Sequence, residues 1–230
     1  MKCRKLFLIL ITLLPTFCFA KGIEIVSEHV EKTTVDAFDA KGLLILEVGA
    51  ITTLIAHNFD QQVRDGAKEH QSMSPALSKV GEFWGNGIPE ILILGFQYQF
   101  DQEQSLAGIE GLGLGNLAVQ GFKYSTRRER PDESESVSFP SGHTQASFSL
   151  ATSMTESYGW KKSLPFWIMG VFTGISRISD DKHWLSDVTA GATIGILFGR
   201  AGFSHHAVIP TVIFNNGKAE GVQINYGFDF

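Results

Sequence analysis

Cysteine is almost absent from this chain. Its two copies, Cys3 and Cys18, both fall within the first twenty residues. Once that segment is removed no thiol remains, so disulfides do not hold the body of the protein together. An excess of positive charge is also missing. The chain carries 19 basic and 24 acidic residues, a net charge of −5. That balance argues against general nucleic-acid binding. Any anionic substrate must be held by a local cluster of cations. Beyond residue 20 there is no uninterrupted apolar run of the roughly 20 residues that a spanning helix needs. Leu43–Ala56 is 14 residues long and contains Glu47. Leu106–Phe122 contains Glu110, Asn116 and Gln120, and Val188–Phe203 contains Arg200.

What is present is a globular composition: 43% hydrophobic residues, 19% charged, and 18 Phe among 230 residues. That suffices for one sizeable domain. The first twenty residues stand apart. Lys2, Arg4 and Lys5 precede the apolar run Leu6–Leu14, which only Thr12 interrupts. Pro15 ends it, and Cys18-Phe19-Ala20 places small residues at −3 and −1 of a cut after Ala20. This is the pattern of a secretory signal peptide, residues 1–20, and it predicts an exported protein, periplasmic or envelope-associated. The competing reading is an uncleaved membrane anchor. Lipid-directed cleavage at Cys18 fits poorly behind Pro15, Thr16 and Phe17. Cleavage removes three basic residues and no acidic ones, making the mature chain more acidic still.

Residues 21–40 are polar and mixed and read as a leader. The apolar stretches Leu43–Ala56, Ile88–Gln97, Leu106–Phe122, Ala146–Met154, Leu164–Ile178 and Val188–Phe203 follow, separated by turn residues such as Gly85-Asn86-Gly87 and Gly159. Their length and Ala/Leu/Ile/Gly content predict mutually buried helices over residues 41–204. Gly111 and Gly115, four apart, would let two of them approach closely. The tail changes period. Val222, Ile224, Tyr226, Phe228 and Phe230 alternate with mostly polar residues after Asn215-Asn216-Gly217. Residues 205–230 therefore read as a short β-hairpin packed on the helices. The fold class expected is all-α, a bundle of about six core helices with this hairpin appended.

Three clusters carry chemistry. They are Lys123–Pro131, Pro140-Ser141-Gly142-His143, and Ser176–Asp187. A phosphoryl group needs cationic donors on its equatorial oxygens, inward-pointing backbone N–H groups, an in-line nucleophile and an opposing acid. Lys123, Arg130 and Arg177 can supply cations. Ser141-Gly142 opens a predicted helix from His143 to about Met154, and a helix N-terminus offers free N–H groups to an anion. His183 and Asp187, four apart, would share a helix face, so Asp187 can fix the imidazole tautomer. His143 remains to protonate a leaving oxygen. Taken singly, each feature has a bland reading: a solvated basic face, a surface His/Asp pair, an ordinary cap.

Taken together, these residues resemble the type 2 phosphatidic acid phosphatase (PAP2) superfamily. Its pattern is Lys-x6-Arg-Pro, then Pro-Ser-Gly-His, then Ser-Arg-x5-His-x3-Asp. Lys123, Arg130 and Pro131 match the first part, Pro140–His143 the second, and Ser176, Arg177, His183 and Asp187 the third. The resemblance covers about Gly85 to Phe203. It implies an all-helical bundle with His183 as nucleophile, Asp187 as its partner and His143 as general acid. Lys123, Arg130, Ser141, Gly142 and Arg177 would bind phosphate. It implies no metal and no cofactor, a phosphohistidine intermediate, and a phosphorylated lipid or small-molecule substrate, with peripheral membrane association possible.

Two other classes remain. One is a vanadate-dependent haloperoxidase, a related class whose pocket holds vanadate as a phosphate mimic. The other is a non-enzymatic envelope protein that binds lipid phosphate. The eight-residue link between Pro131 and Pro140 is acidic, with Asp132, Glu133 and Glu135, and reads as a solvated loop. His205-His206 has no partner at zinc-ligand spacing. Gly111–Gly115 lacks the dinucleotide-binding pattern.

Overall fold

The computed structural model describes residues 31–70, 72–203, 208–215 and 218–226, the last two ranges as backbone only. The expected signal peptide, residues 21–30 of the leader, and His205-His206 lie outside the described residues. A short helix spans 31–37 (α1). Then come α2 (Ala40–His57), α3 (Asp60–Glu69), α4 (Pro75–Trp84), α5 (Ile88–Gln97), α6 (Gln102–Thr126), α7 (Gly142–Tyr158), α8 (Trp160–Ser179) and α9 (Leu185–Ala201). The fold is an all-α bundle. Val208–Asn215 (β1) and Lys218–Tyr226 (β2) follow as an antiparallel ladder, with an irregularity between Ile213 and Phe214.

The helix ends follow local chemistry. Asp39 caps α2 through its carboxylate on the Gly42 N–H at 2.7 Å. Ser74 caps α4, with Pro75 in the first turn, where its missing N–H costs nothing. Gly159 ends α7 at φ 79°, a left-handed backbone that favours glycine, and the chain re-enters helix at once as α8. Helices α3 and α4 went unpredicted. The former, Asp60-Gln-Gln-Val-Arg-Asp-Gly-Ala-Lys-Glu69, is polar nearly throughout, so no apolar period marks it.

Helix α7 lies at the centre, against α6, α8 and α9. Small residues set these approaches. A Cβ on Gly191, Gly195 or Gly199 of α9 would collide with the carbonyl oxygen of Ser141, Gln145 or Ser149 on α7. A Cβ on Gly111 of α6 would likewise strike the Phe198 carbonyl of α9. The glycines thus bring backbones together and fix the start of α9 beside the start of α7. Leu94, Leu112, Ala146, Leu150 and Met154 form one apolar core cluster; Val119, Ile194, Leu197 and Phe198 belong to another.

The distribution of polarity corrects one expectation. The apolar helices were predicted to bury against one another, yet α7 buries Thr144, Gln145, Ser147, Ser149, Thr152 and Ser153. Meanwhile Leu44, Val48, Ile51 and Ile55 of α2 are exposed, as are Leu164, Ile168, Val171 and Ile175 of α8. Each set follows the i, i+4, i+7, i+11 spacing of one outward helix face. Exposed Ile88, Ile91, Leu92 and Phe96 cover α5. Helix α2 runs 18 residues at hydropathy 1.4, longer than the 14-residue apolar run. At about 1.5 Å per residue its length approaches the thickness of a bilayer core. Among the described residues it alone is long and apolar enough to cross a membrane.

Candidate functional site

All eight predicted site residues meet at one end of the bundle, beyond the apolar bodies of the helices. Lys123 comes from the last turn of α6, Arg177 from the last turn of α8, and Asp187 from the first turn of α9. Ser141 caps α7, and Gly142 and His143 open it. Arg130 and His183 sit in the connecting segments. The Gly191 approach explains part of this convergence, and the Ser141 N–H seals it by donating to the Asp187 carbonyl at 2.9 Å. Gly85, after α4, could not carry a Cβ without crowding the His143 carbonyl.

His183 is 3% exposed and Asp187 fully buried, with His183 Nδ1 3.6 Å from Asp187 Oδ2. The spacing argument erred in one respect. His183 is not helical; α9 begins at Leu185. The contact survives because Asp187, three residues after Trp184, accepts the Trp184 N–H at 2.9 Å and so faces back over the turn that holds His183. Asp187 also accepts from the Ser138 hydroxyl and, at 2.7 Å, from Arg128. Burial works to raise the Asp187 carboxyl, but His183, Ser138, Arg128 and the Trp184 N–H outweigh it and hold the group below its usual range. Burial pushes His183 down, and Asp187 opposes that shift without cancelling it. The imidazole is therefore neutral at neutral pH.

His143 is lowered to about 4, first by burial and then by the charges of Arg177, His183, Lys123 and Arg130. That set of neighbours describes the site: one half-buried imidazole ringed by cations. Burial is also the main cause of a lowered Lys123, which donates to the Val137 carbonyl at 2.7 Å. Arg130 pairs with Glu135 at 2.8 Å, and Arg177 with Asp180 at 2.7 Å. The N–H groups of Gly142 and His143, at the start of α7, have no intrahelical acceptor. Packing alone does not demand glycine at 142, where a Cβ would meet only Val119 at 3.7 Å.

The acidic link is more engaged than a solvated loop. Asp132 pairs with Lys182 at 2.5 Å, and the Arg130 N–H donates to the Glu135 carbonyl at 3.0 Å. Sequence reasoning passed over Arg128, Ser138 and Asp60. Arg128 lies in the basic run already singled out, but nothing in a run of cations tells which one turns inward. Among the described residues, no three or more His, Cys, Asp or Glu side chains converge as metal ligands would.

Comparison with known proteins agrees with this geometry. Lipid A 1-phosphatase of Porphyromonas gingivalis is 43% identical over 96 residues, covering 40% of this chain and 22% of that protein. The chain thus spans about a fifth of the length of this curated relative. Two solved structures, each 22% identical, share the fold. Aquifex aeolicus LpxE aligns with a TM-score of 0.57, over 64% of this chain and 96% of its own. A transmembrane PAP2 type phosphatidylglycerolphosphate phosphatase from Bacillus subtilis aligns with a TM-score of 0.54, over 75% and 94%. Residues 104–208, which hold all eight predicted site residues, match the profile of the PAP2 superfamily.

Proposed function

We propose that this protein is an exported, metal-independent phosphatase that hydrolyses a phosphomonoester or pyrophosphate on a lipid through a phosphohistidine intermediate. The observation that carries the reading is the buried His183–Asp187 pair set among Lys123, Arg130, Arg177 and the N-terminus of α7. With Nδ1 facing Asp187, the Nε2 lone pair of His183 is the one left to attack phosphorus. A P–N bond forms as the P–O bond to the leaving group breaks, and His143 gives that oxygen a proton. His143 then takes a proton from water, whose oxygen attacks phosphorus. The P–N bond breaks, releasing inorganic phosphate and neutral His183. Lys123, Arg130, Arg177, the Ser141 hydroxyl and the free N–H groups at Gly142 and His143 bind the phosphoryl oxygens.

A lipid substrate is supported by the names of the relatives and by the apolar outer faces of α2, α5 and α8. Contiguous apolar surface of this kind marks contact with lipid or protein. The basic–apolar–small pattern of residues 1–20 supports export. Rapid-quench trapping with a 32P-labelled lipid phosphate tests the reading. Wild type forms an acid-labile, base-stable phosphoprotein in the presence of EDTA, and His183→Ala forms none. Label retained in His183→Ala, or activity lost to EDTA and restored by a divalent ion, refutes it.

A further inference from the structure

Arg128 stands outside the superfamily pattern yet touches the centre of the site. The chain leaves α6 through Arg127 in a left-handed conformation, φ 45°. The Arg128 carbonyl then accepts the Ser138 N–H at 2.9 Å. Its guanidinium forks between two buried carboxylates: one nitrogen is 2.7 Å from Asp187 Oδ1, the other 2.7 Å from Asp60 Oδ2. It also donates to the Ser186 hydroxyl at 2.7 Å. Asp60, the first residue of α3, takes the Ser186 N–H at 2.8 Å and the Ser186 hydroxyl at 2.7 Å. The Trp184 ring lies 5.5 Å from the Arg128 guanidinium and 5.4 Å from that of Arg64.

We infer that Arg128, held in turn by Asp60, is a positioning residue for catalysis: by occupying Oδ1 of Asp187 it keeps Oδ2 turned toward His183. The inference rests on the reading of His183 as nucleophile. Asp187 is fully buried, so an oxygen without a donor would be left unsatisfied. Oδ2 already has Ser138 and the Trp184 N–H beside His183, and the fork of Arg128 satisfies Oδ1. A lysine has the charge but not the fork, so it cannot span both carboxylates in this geometry.

The charge pattern yields a signature that mere loss of stability does not. The charged groups facing His183 are Asp187, Lys123, Arg130 and His143, with Arg177 beyond His143. Arg128 offsets Asp187, and Asp60, which also meets His57 Nδ1 at 3.0 Å, offsets Arg128. Removing Arg128 leaves Asp187 freer to favour the imidazolium, so the acid limb of the kcat/KM profile moves to higher pH. Removing the Asp60 charge leaves Arg128 less balanced, and the limb moves to lower pH.

The test uses the full chain in detergent micelles, with p-nitrophenyl phosphate as substrate. Arg128→Gln, Arg128→Lys and Asp60→Asn are compared with wild type by pH–rate profile, 32P trapping and thermal melting. Arg128→Gln should lower kcat by roughly 10–100-fold, by analogy with the outer partners that orient metal-bound histidines. Its acid limb should rise, that of Asp60→Asn should fall, and Arg128→Lys should restore the limb but only part of kcat. If Arg128→Gln does not fold, a lowered acid limb in Asp60→Asn beside an unmoved limb and reduced kcat in Arg128→Lys decides. An acid limb unmoved in folded Asp60→Asn or Arg128→Gln, or moved in the same direction by both, overturns the clamp. Label in wild type but not in His183→Ala then shows that the nucleophile reading survives. No label in wild type overturns both.

Discussion

The two imidazoles are not equivalent, and their differences are chemical. His183 touches a carboxylate; His143 is surrounded by cations. His143→Ala should therefore cost about 10²–10⁴-fold on an alkyl phosphate, the usual value of general acid catalysis. The loss should shrink sharply on p-nitrophenyl phosphate, whose leaving group scarcely needs a proton. Equal losses on both substrates would deny His143 that task. A second expectation follows from its value of about 4. At pH 7 the free site holds His143 neutral, so the proton needed for departure is taken up from solution as the ligand binds. Phosphate brings negative charge among the cations and raises His143. Binding of inorganic phosphate at pH 7 should thus take up protons, measured by calorimetry in buffers of different ionisation enthalpy. No dependence on buffer would contradict it. At this scale the sequence was highly readable: Lys123, Arg130, His143, Arg177, His183 and Asp187 all reach one place. Arg128 and Asp60 were not readable, because their roles depend on α3 folding back against α9, a contact between residues over a hundred positions apart.

Elements place those residues, and α9 does most of the placing. Its glycines 191, 195 and 199 sit one turn apart, each facing a carbonyl of α7. Replacing Gly195 by Ala gains about 1 kcal/mol of helix propensity. Against this, the new methyl meets backbone, which cannot rotate away, and overpacking of that kind costs about 1–3 kcal/mol. Gly195→Ala should therefore lower thermal stability and reduce kcat as α9 is pushed off α7, whereas Gly113→Ala on α6, with open space around it, should keep the propensity gain and leave kcat nearly unchanged. The outcome is read by melting and by turnover. A stabilised Gly195→Ala would show that the approach is looser than described. Apolar stretches located α5 at Ile88–Gln97, and the helices of longer runs extended further because caps, not hydrophobicity, set their ends. Thus α6 starts behind Asp101, which accepts the Gln104 N–H at 3.1 Å. Ser74-Pro75 marked the start of α4, and the cap and proline alone were enough to place it.

Viewed whole, the described helices bury many hydroxyls and glycines beside their apolar core and carry Leu, Ile and Phe on the outer faces of α2, α5 and α8. Composition could not reveal this. A mean hydropathy of +0.05 suits either arrangement, because it counts residues and not the faces they occupy. The outward stripes on α2 and α8 lead us to expect that the protein stays with the membrane fraction through an alkaline carbonate wash and leaves only with detergent. Leu44→Glu combined with Ile51→Glu should weaken that retention, since charge at lipid depth costs several kcal/mol. Release of wild type by carbonate alone would count against a lipid seat. The ion pairs at the polar end have a further consequence. Arg130 already holds Glu135, and Arg177 already holds Asp180. On the function proposed above, phosphate would enter as it would onto a preloaded ion-exchange resin, displacing resident counterions instead of meeting bare charge. The same carboxylates stand ready to reclaim the cations afterwards, so the last product would be eluted by the protein itself.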